Sequence, residues 1–182
     1  MKRILFLVLL LIVFTMPCAF AAAMTVHENN DYYLKFSHPS NWELSSFTRD
    51  NSFVITTHPF VKWNEVPVPI VEIQVTNYPI KNMDELIKEV QKEIHDDALK
   101  NEKLLGHITV EGPIVTHLKN IEAIFLRESM FPPYLDSQFV QEQYFVYRNS
   151  YRYVISTCGT PHDLNKNRQI LKDILNSFEF LQ

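Results

Sequence analysis

Residues 71–98 read VEIQVTNYPIKNMDELIKEVQKEIHDDA, and within this stretch the periodicity of the chain changes from two to 3.6. Val71, Ile73 and Val75 alternate with Glu72, Gln74 and Thr76, the pattern of a strand with one buried face. Asn82 then stands three residues before Glu85, the spacing of a capping box. Leu86, Ile87, Val90, Ile94 and Ala98 follow at helical intervals with charges between them. The stretch therefore predicts a strand followed by an amphipathic helix that lies on a sheet.

Strand character extends outward on both sides. Upstream, Tyr32, Leu34 and Phe36 alternate with Tyr33, Lys35 and Ser37, and His38-Pro39-Ser40-Asn41 turns the chain into Trp42–Leu44. Phe53, Ile55 and Thr57 repeat the period of two. Downstream, 106–115 and 121–130 return to strand character. Residues 138–147 and 151–157 read as a hairpin about Arg148-Asn149-Ser150. Thr160 caps a last helix with Pro161 at its first position, and Leu164, Leu171, Ile174, Leu175 and Phe178 form its apolar face. Phe180 and Leu181 suit a short final strand. Short turns between strands favour antiparallel pairing, so the expected class is α+β: a central antiparallel sheet with helices on its faces. With three glycines in 182 residues and no repeat or linker, residues 24–182 are expected to form one domain.

Residues 1–21 predict a signal peptide. Lys2 and Arg3 precede an apolar run from Ile4 to Phe14, and Ala19-Phe20-Ala21 is an A-x-A site with cleavage after Ala21. The expected location is extracytoplasmic, secreted or periplasmic. The alternative is a chain anchored in the membrane by an uncleaved N-terminus, and membrane contact is expected only in that case. Cys18 sits where a lipoprotein cysteine would, but Pro17 precedes it in place of a small residue. Losing Lys2 and Arg3 takes the formal charge from −4 to −6, which excludes nucleic acid as a partner. Cleavage also leaves Cys158 without a disulfide partner, so the fold rests on its core.

Gly106, Gly112 and Gly159 are the only glycines, which excludes a dinucleotide loop, a P-loop and a nucleophile elbow. Cys158, His162 and Asp163 suggest a thiol with its base, but Thr160-Pro161-His162-Asp163 is fully accounted for as a helix start. No H-x-x-x-H spacing exists among the seven histidines. His107 and His117, read on successive strands, leave a metal site open, with Glu72 as a third ligand. Asp96-Asp97 reads as a polar patch at a helix end, and Glu122 with Glu128 as solvated strand carboxylates. No cofactor is expected. Two proline-stiffened aromatic loops carry Phe60, Trp63, Phe131 and Tyr134, the candidate partner-binding residues.

Tyr33-Leu34-Lys35-Phe36-Ser37-His38-Pro39-Ser40-Asn41-Trp42 resembles the opening hairpin of the PsbP family, and Ile174-Leu175-Asn176-Ser177-Phe178 resembles its close. That superfamily includes an extrinsic photosystem protein, DcrB-like bacterial envelope proteins and a Ran-binding transport factor. The resemblance spans the mature chain and implies an α/β/α sandwich about an antiparallel sheet. It transfers no activity. The expected function is that of a non-catalytic binding or accessory protein of the envelope, engaging a partner protein or a small apolar ligand. The alternative is a hydrolase-type enzyme with a dispersed site.

Overall fold

The computed structural model describes residues 23–60, 68–78, 82–133 and 137–181; Ala21 with the rest of the signal segment, Trp63 and Tyr134 lie outside them. The elements in chain order are β1 (Met24–Asn29), β2 (Leu34–Pro39), β3 (Trp42–Arg49), β4 (Ser52–Pro59) and β5 (Ile70–Asn77). They continue with α1 (Met83–Leu105), β6 (Ile108–Leu118), β7 (Ile121–Met130), β8 (Phe139–Arg148) and β9 (Tyr151–Gly159). The chain closes with α2 (Pro161–Lys166), α3 (Arg168–Ser177) and β10 (Glu179–Phe180).

Two-residue turns set the strand registers. Asp50-Asn51 joins β3 to β4 and Asn149-Ser150 joins β8 to β9, all four residues at φ between 50° and 64°. Positive φ at both central positions gives a turn whose twist matches the flanking strands. Arg49 is thereby opposite Ser52, and Arg148 opposite Tyr151. Seven strands form one antiparallel sheet in the order β3-β4-β5-β9-β8-β7-β6. β5 and β9 are far apart in sequence, yet they pair over eight residues from Ile70 opposite Cys158 to Asn77 opposite Tyr151.

The two faces of this sheet have different covers. On one, α1 presents Leu86 and Val90 to Ile124, Leu126, Phe145 and Val154. On the other, the buried residues of β4, β5, β8 and β9 meet a layer made of β2, α3 and β10. The antiparallel sheet is as expected, but the second cover is not helical alone. β2 pairs with β1 on one edge and β10 on the other, and this three-stranded sheet shares the layer with α3. Leu34 and Phe36, fully buried on β2, supply apolar surface that helices alone were expected to give.

Ser177-Phe178 clamps this layer. The Ser37 N–H donates to Ser177 Oγ at 2.8 Å, and the Phe178 ring stacks on Phe36 with centroids 5.2 Å apart. Trp42 is 7% exposed in the same core. Both predicted caps form: Asn82 Oδ1 accepts from the Glu85 N–H at 3.0 Å, and Thr160 Oγ1 from the Asp163 N–H at 3.2 Å. The helix expected to run on from Thr160 is broken at Asn167, whose side-chain amide and backbone N–H both donate to the Asp163 carbonyl. That local hydrogen bonding competes with helix continuation. β1 is a further strand, paired with β2 along its edge, and most of its side chains are exposed.

Candidate functional site

The apolar cluster beneath α1 is small, and the sheet beyond it is polar. Cross-strand register puts Gln74, Val154 and Phe145 in one row of this face. The next row holds Glu72, Ser156 and Gln143, and the one after it Cys158, Gln141 and Glu128. Where α1 runs past its cluster toward this polar floor, helix and sheet enclose a cleft of about 350 Å³. Val90, Ile94 and Leu105 of α1, with Ile108 of β6, form an aliphatic wall, while Leu126 and Met130 of β7 continue it on the sheet. Gln74, Glu128, Gln141 and Gln143 supply the polar lining.

An ion pair closes one side. Arg152 on β9 donates through a terminal guanidinium nitrogen to Glu93 on α1, and its guanidinium lies 5.0 Å from the Tyr78 ring centre. Tyr78 donates in turn to Glu89 at 3.1 Å. The arginine is buried, and its Nε lacks a hydrogen-bond partner. Such a group is held by its ion pair and ring contact, and removing either leaves a costly buried charge. Arg49 is likewise engaged, donating to Glu72 at 2.8 Å.

Cys158 belongs to the cleft face of β9. Burial, with the nearby carboxylates of Glu72 and Glu128, pushes its thiol up to about 12. A thiol so placed stays protonated at neutral pH and is a poor nucleophile. α2, which carries His162, packs its Leu164 on the opposite face of the sheet, and no hydrogen bond joins His162 to Cys158. The suggested thiol–base pair is therefore not assembled.

The two histidines considered for a metal also fail to meet. His107 and His117 flank and end the single strand β6, not successive strands. Ten residues of extended chain separate them by roughly 30 Å, and Glu72 lies four strand spacings from β6. Among the described residues no group of three His, Cys, Asp or Glu side chains could hold a metal ion. Glu122 and Glu128 stand at opposite ends of β7, about 20 Å apart and beyond the separation used by paired carboxylates. Asp96 and Asp97 lie within α1 rather than in a loop.

Of the partner-binding candidates, Phe60 is 71% and Phe131 53% exposed. They follow β4 and β7 directly, and the register of the intervening strands brings both to one end of the sheet, about 19 Å apart. The cleft reaches this end through Leu105, Ile108 and Met130. Gly106, at φ +68°, allows the turn from α1 into β6 to pass against the Phe131 carbonyl, where any Cβ would collide. Sequence reading singled out these aromatics and missed the cleft. Its one signal was glutamine at alternate positions of β8, Gln141 and Gln143, in a strand otherwise rich in apolar residues.

The chain superposes on solved structures over most of its length. The fold is PsbP-like. Cyanobacterial PsbP from Synechocystis sp. PCC 6803 superposes with a TM-score of 0.62 over 91% of this chain and 97% of its own, at 7% identity. A Pseudomonas aeruginosa protein of unknown function, described as a putative regulator, gives a TM-score of 0.54 over 84% of this chain and 94% of its own, at 11% identity. No family model matches the sequence, and no curated protein matches it. The PsbP-like architecture thus rests on geometry, and at these identities it carries the fold alone. Among the described residues no helix is long and apolar enough to cross a membrane.

Proposed function

We propose that this chain is a non-catalytic accessory protein of the cell envelope that binds a small, largely apolar ligand in the α1 cleft. The observation that carries the reading is the cleft itself. It is concave, with an aliphatic wall along α1 and a floor and side of polar groups that fix orientation. The charged groups around it are already committed to one another, as Arg152 is to Glu93 and Arg49 to Glu72. The Cys158 thiol is held protonated beside them. Such a lining suits holding a molecule more than transforming one. The signal segment supports a place outside the cytoplasm. A hydrolase draws no support from Glu122 and Glu128, which are too far apart to act on one bond. Phe60 and Phe131, exposed at the cleft's end, favour a second reading in which a partner protein docks there.

Ile94, half-buried on the helical wall, offers the test. Ile94→Trp fills the cleft from the wall side. A ligand found by thermal shift and present at about 100 times its Kd is expected to stabilise the wild-type protein by about 2.7 kcal/mol. The same ligand should leave Ile94→Trp unshifted. Equal stabilisation of both proteins puts the ligand elsewhere and overturns the reading.

A further inference from the structure

We infer that the cleft selects an amphiphile with an aliphatic body and an uncharged head bearing hydroxyl or amide groups. This deepens the proposed function and rests on it. The wall dictates the body. Val90, Ile94, Leu105, Ile108 and Met130 are all flexible or branched aliphatics, and the one ring among the described lining residues, Phe145, is buried in the α1 cluster. No open ring face is offered on which a sugar or a nucleobase could stack, whereas a methylene chain packs well on such side chains.

The floor dictates the head. Gln74 donates its amide nitrogen to Ser52 Oγ at 2.9 Å, which leaves its amide oxygen uncommitted. Gln143 reaches Ser156 Oγ at 3.5 Å with its nitrogen and keeps its oxygen likewise. Among the described residues Gln141 has no side-chain hydrogen-bond partner. Three primary amides thus present both donors and acceptors without charge, which matches hydroxyl and amide groups. Among the described residues an anionic head meets no free cation, because both guanidinium groups of this face are paired with carboxylates. A cationic head fares little better, since Glu72 and Glu93 are taken by arginines and Glu128 is already engaged within the protein.

Three probes of one chain length test the inference: monooctanoylglycerol, octanoate and octylamine, titrated into the purified protein by calorimetry below their critical micelle concentrations. Monooctanoylglycerol is expected to bind about tenfold more tightly than either charged probe, or better. Gln141→Lys, which sets a cation on the floor, should reverse the order in favour of octanoate. A purely structural role of Gln141 would weaken all three probes alike, and that result overturns the inference. So does octanoate or octylamine binding the wild-type protein as tightly as the glyceride. If binding survives Ile94→Trp, or none of the probes binds, the cleft reading itself falls. If Ile94→Trp abolishes binding but the charged probes are preferred, only the inference about the head is lost.

Discussion

The two faces of the seven-stranded sheet are built on opposite plans. Among the described residues, sixteen buried apolar side chains beneath β2, α3 and β10 form one continuous core, from Leu34 and Phe36 through Ile55, Val71 and Ile73 to Ile174 and Phe178. Beneath α1 the corresponding cluster has six among the described residues, and past it the sheet turns to Gln, Glu, Ser and Cys. Burial of apolar area contributes roughly 25 cal/mol per Å², so the first face holds most of the folding energy. The second is thereby left free to carry polar groups whose burial costs stability. A strand such as β9 serves both plans at once, with Tyr153 and Ile155 pointing into the large core and Arg152, Val154 and Cys158 toward α1. One face holds the molecule together and the other gives it a site.

Substitutions on the two faces should therefore differ in size and in kind. The largest effect is expected for Trp42→Ala on the core face, a loss of about 3–5 kcal/mol from the missing burial and the cavity left behind. Urea denaturation measures it. A smaller cost, about 1–2 kcal/mol, is expected for Glu93→Gln on the α1 face. The variant leaves Arg152 buried without its charged partner, but Glu93 itself is 40% exposed and its contribution is screened accordingly. The comparison between the faces breaks if Glu93→Gln costs more than Trp42→Ala in the same titration.

Cys158 gives the smallest effect at neutral pH and sharpens the comparison at alkaline pH. Its folded thiol, pushed up to about 12, keeps a proton that the unfolded chain releases from about pH 9 upward. Between those values the native state binds more protons than the unfolded state, so stability falls as pH rises. Below pH 9 both states are protonated and the group contributes no slope. Cys158→Ala should stay within about 1 kcal/mol of the wild-type protein at pH 7 and lose less stability from pH 9 to 12. It should not abolish the decline, because Tyr153 is also raised to about 12, chiefly by burial in the large core. Coincident pH–stability curves for the two proteins would show that the thiol is solvated in the native state.

The sites that sequence reading singled out fared differently according to how local their physics was. Asn82 and Thr160 cap helices as their spacing required, since a cap needs only residues three apart. His107 and His117 were read as strand neighbours, but the chain between them stays extended as one strand, which a period of two cannot distinguish from a hairpin. β1 carries the exposed Met24 and Val26 and had no alternation to announce it; it is a strand because β2 offers it an edge. The break at Asn167 was hidden because Leu164, Leu171, Ile174 and Phe178 keep helical spacing across it.

Sequence alone determined the period of most segments and the two helix caps, which follow from steric and hydrogen-bond preferences acting over a few residues. The order of elements was legible through the resemblance to the PsbP family. Only the tertiary structure decided that β5 lies beside β9, which brings Gln74 of one strand into register with Val154 of the other and, through β8, into one cleft with Gln141 and Gln143. Only tertiary packing, too, made α1 cover part of its face and leave the polar floor beside it open. Pairing across about eighty residues is set by the total apolar surface that each arrangement buries. That sum runs over the whole molecule and is not written in any one stretch of it.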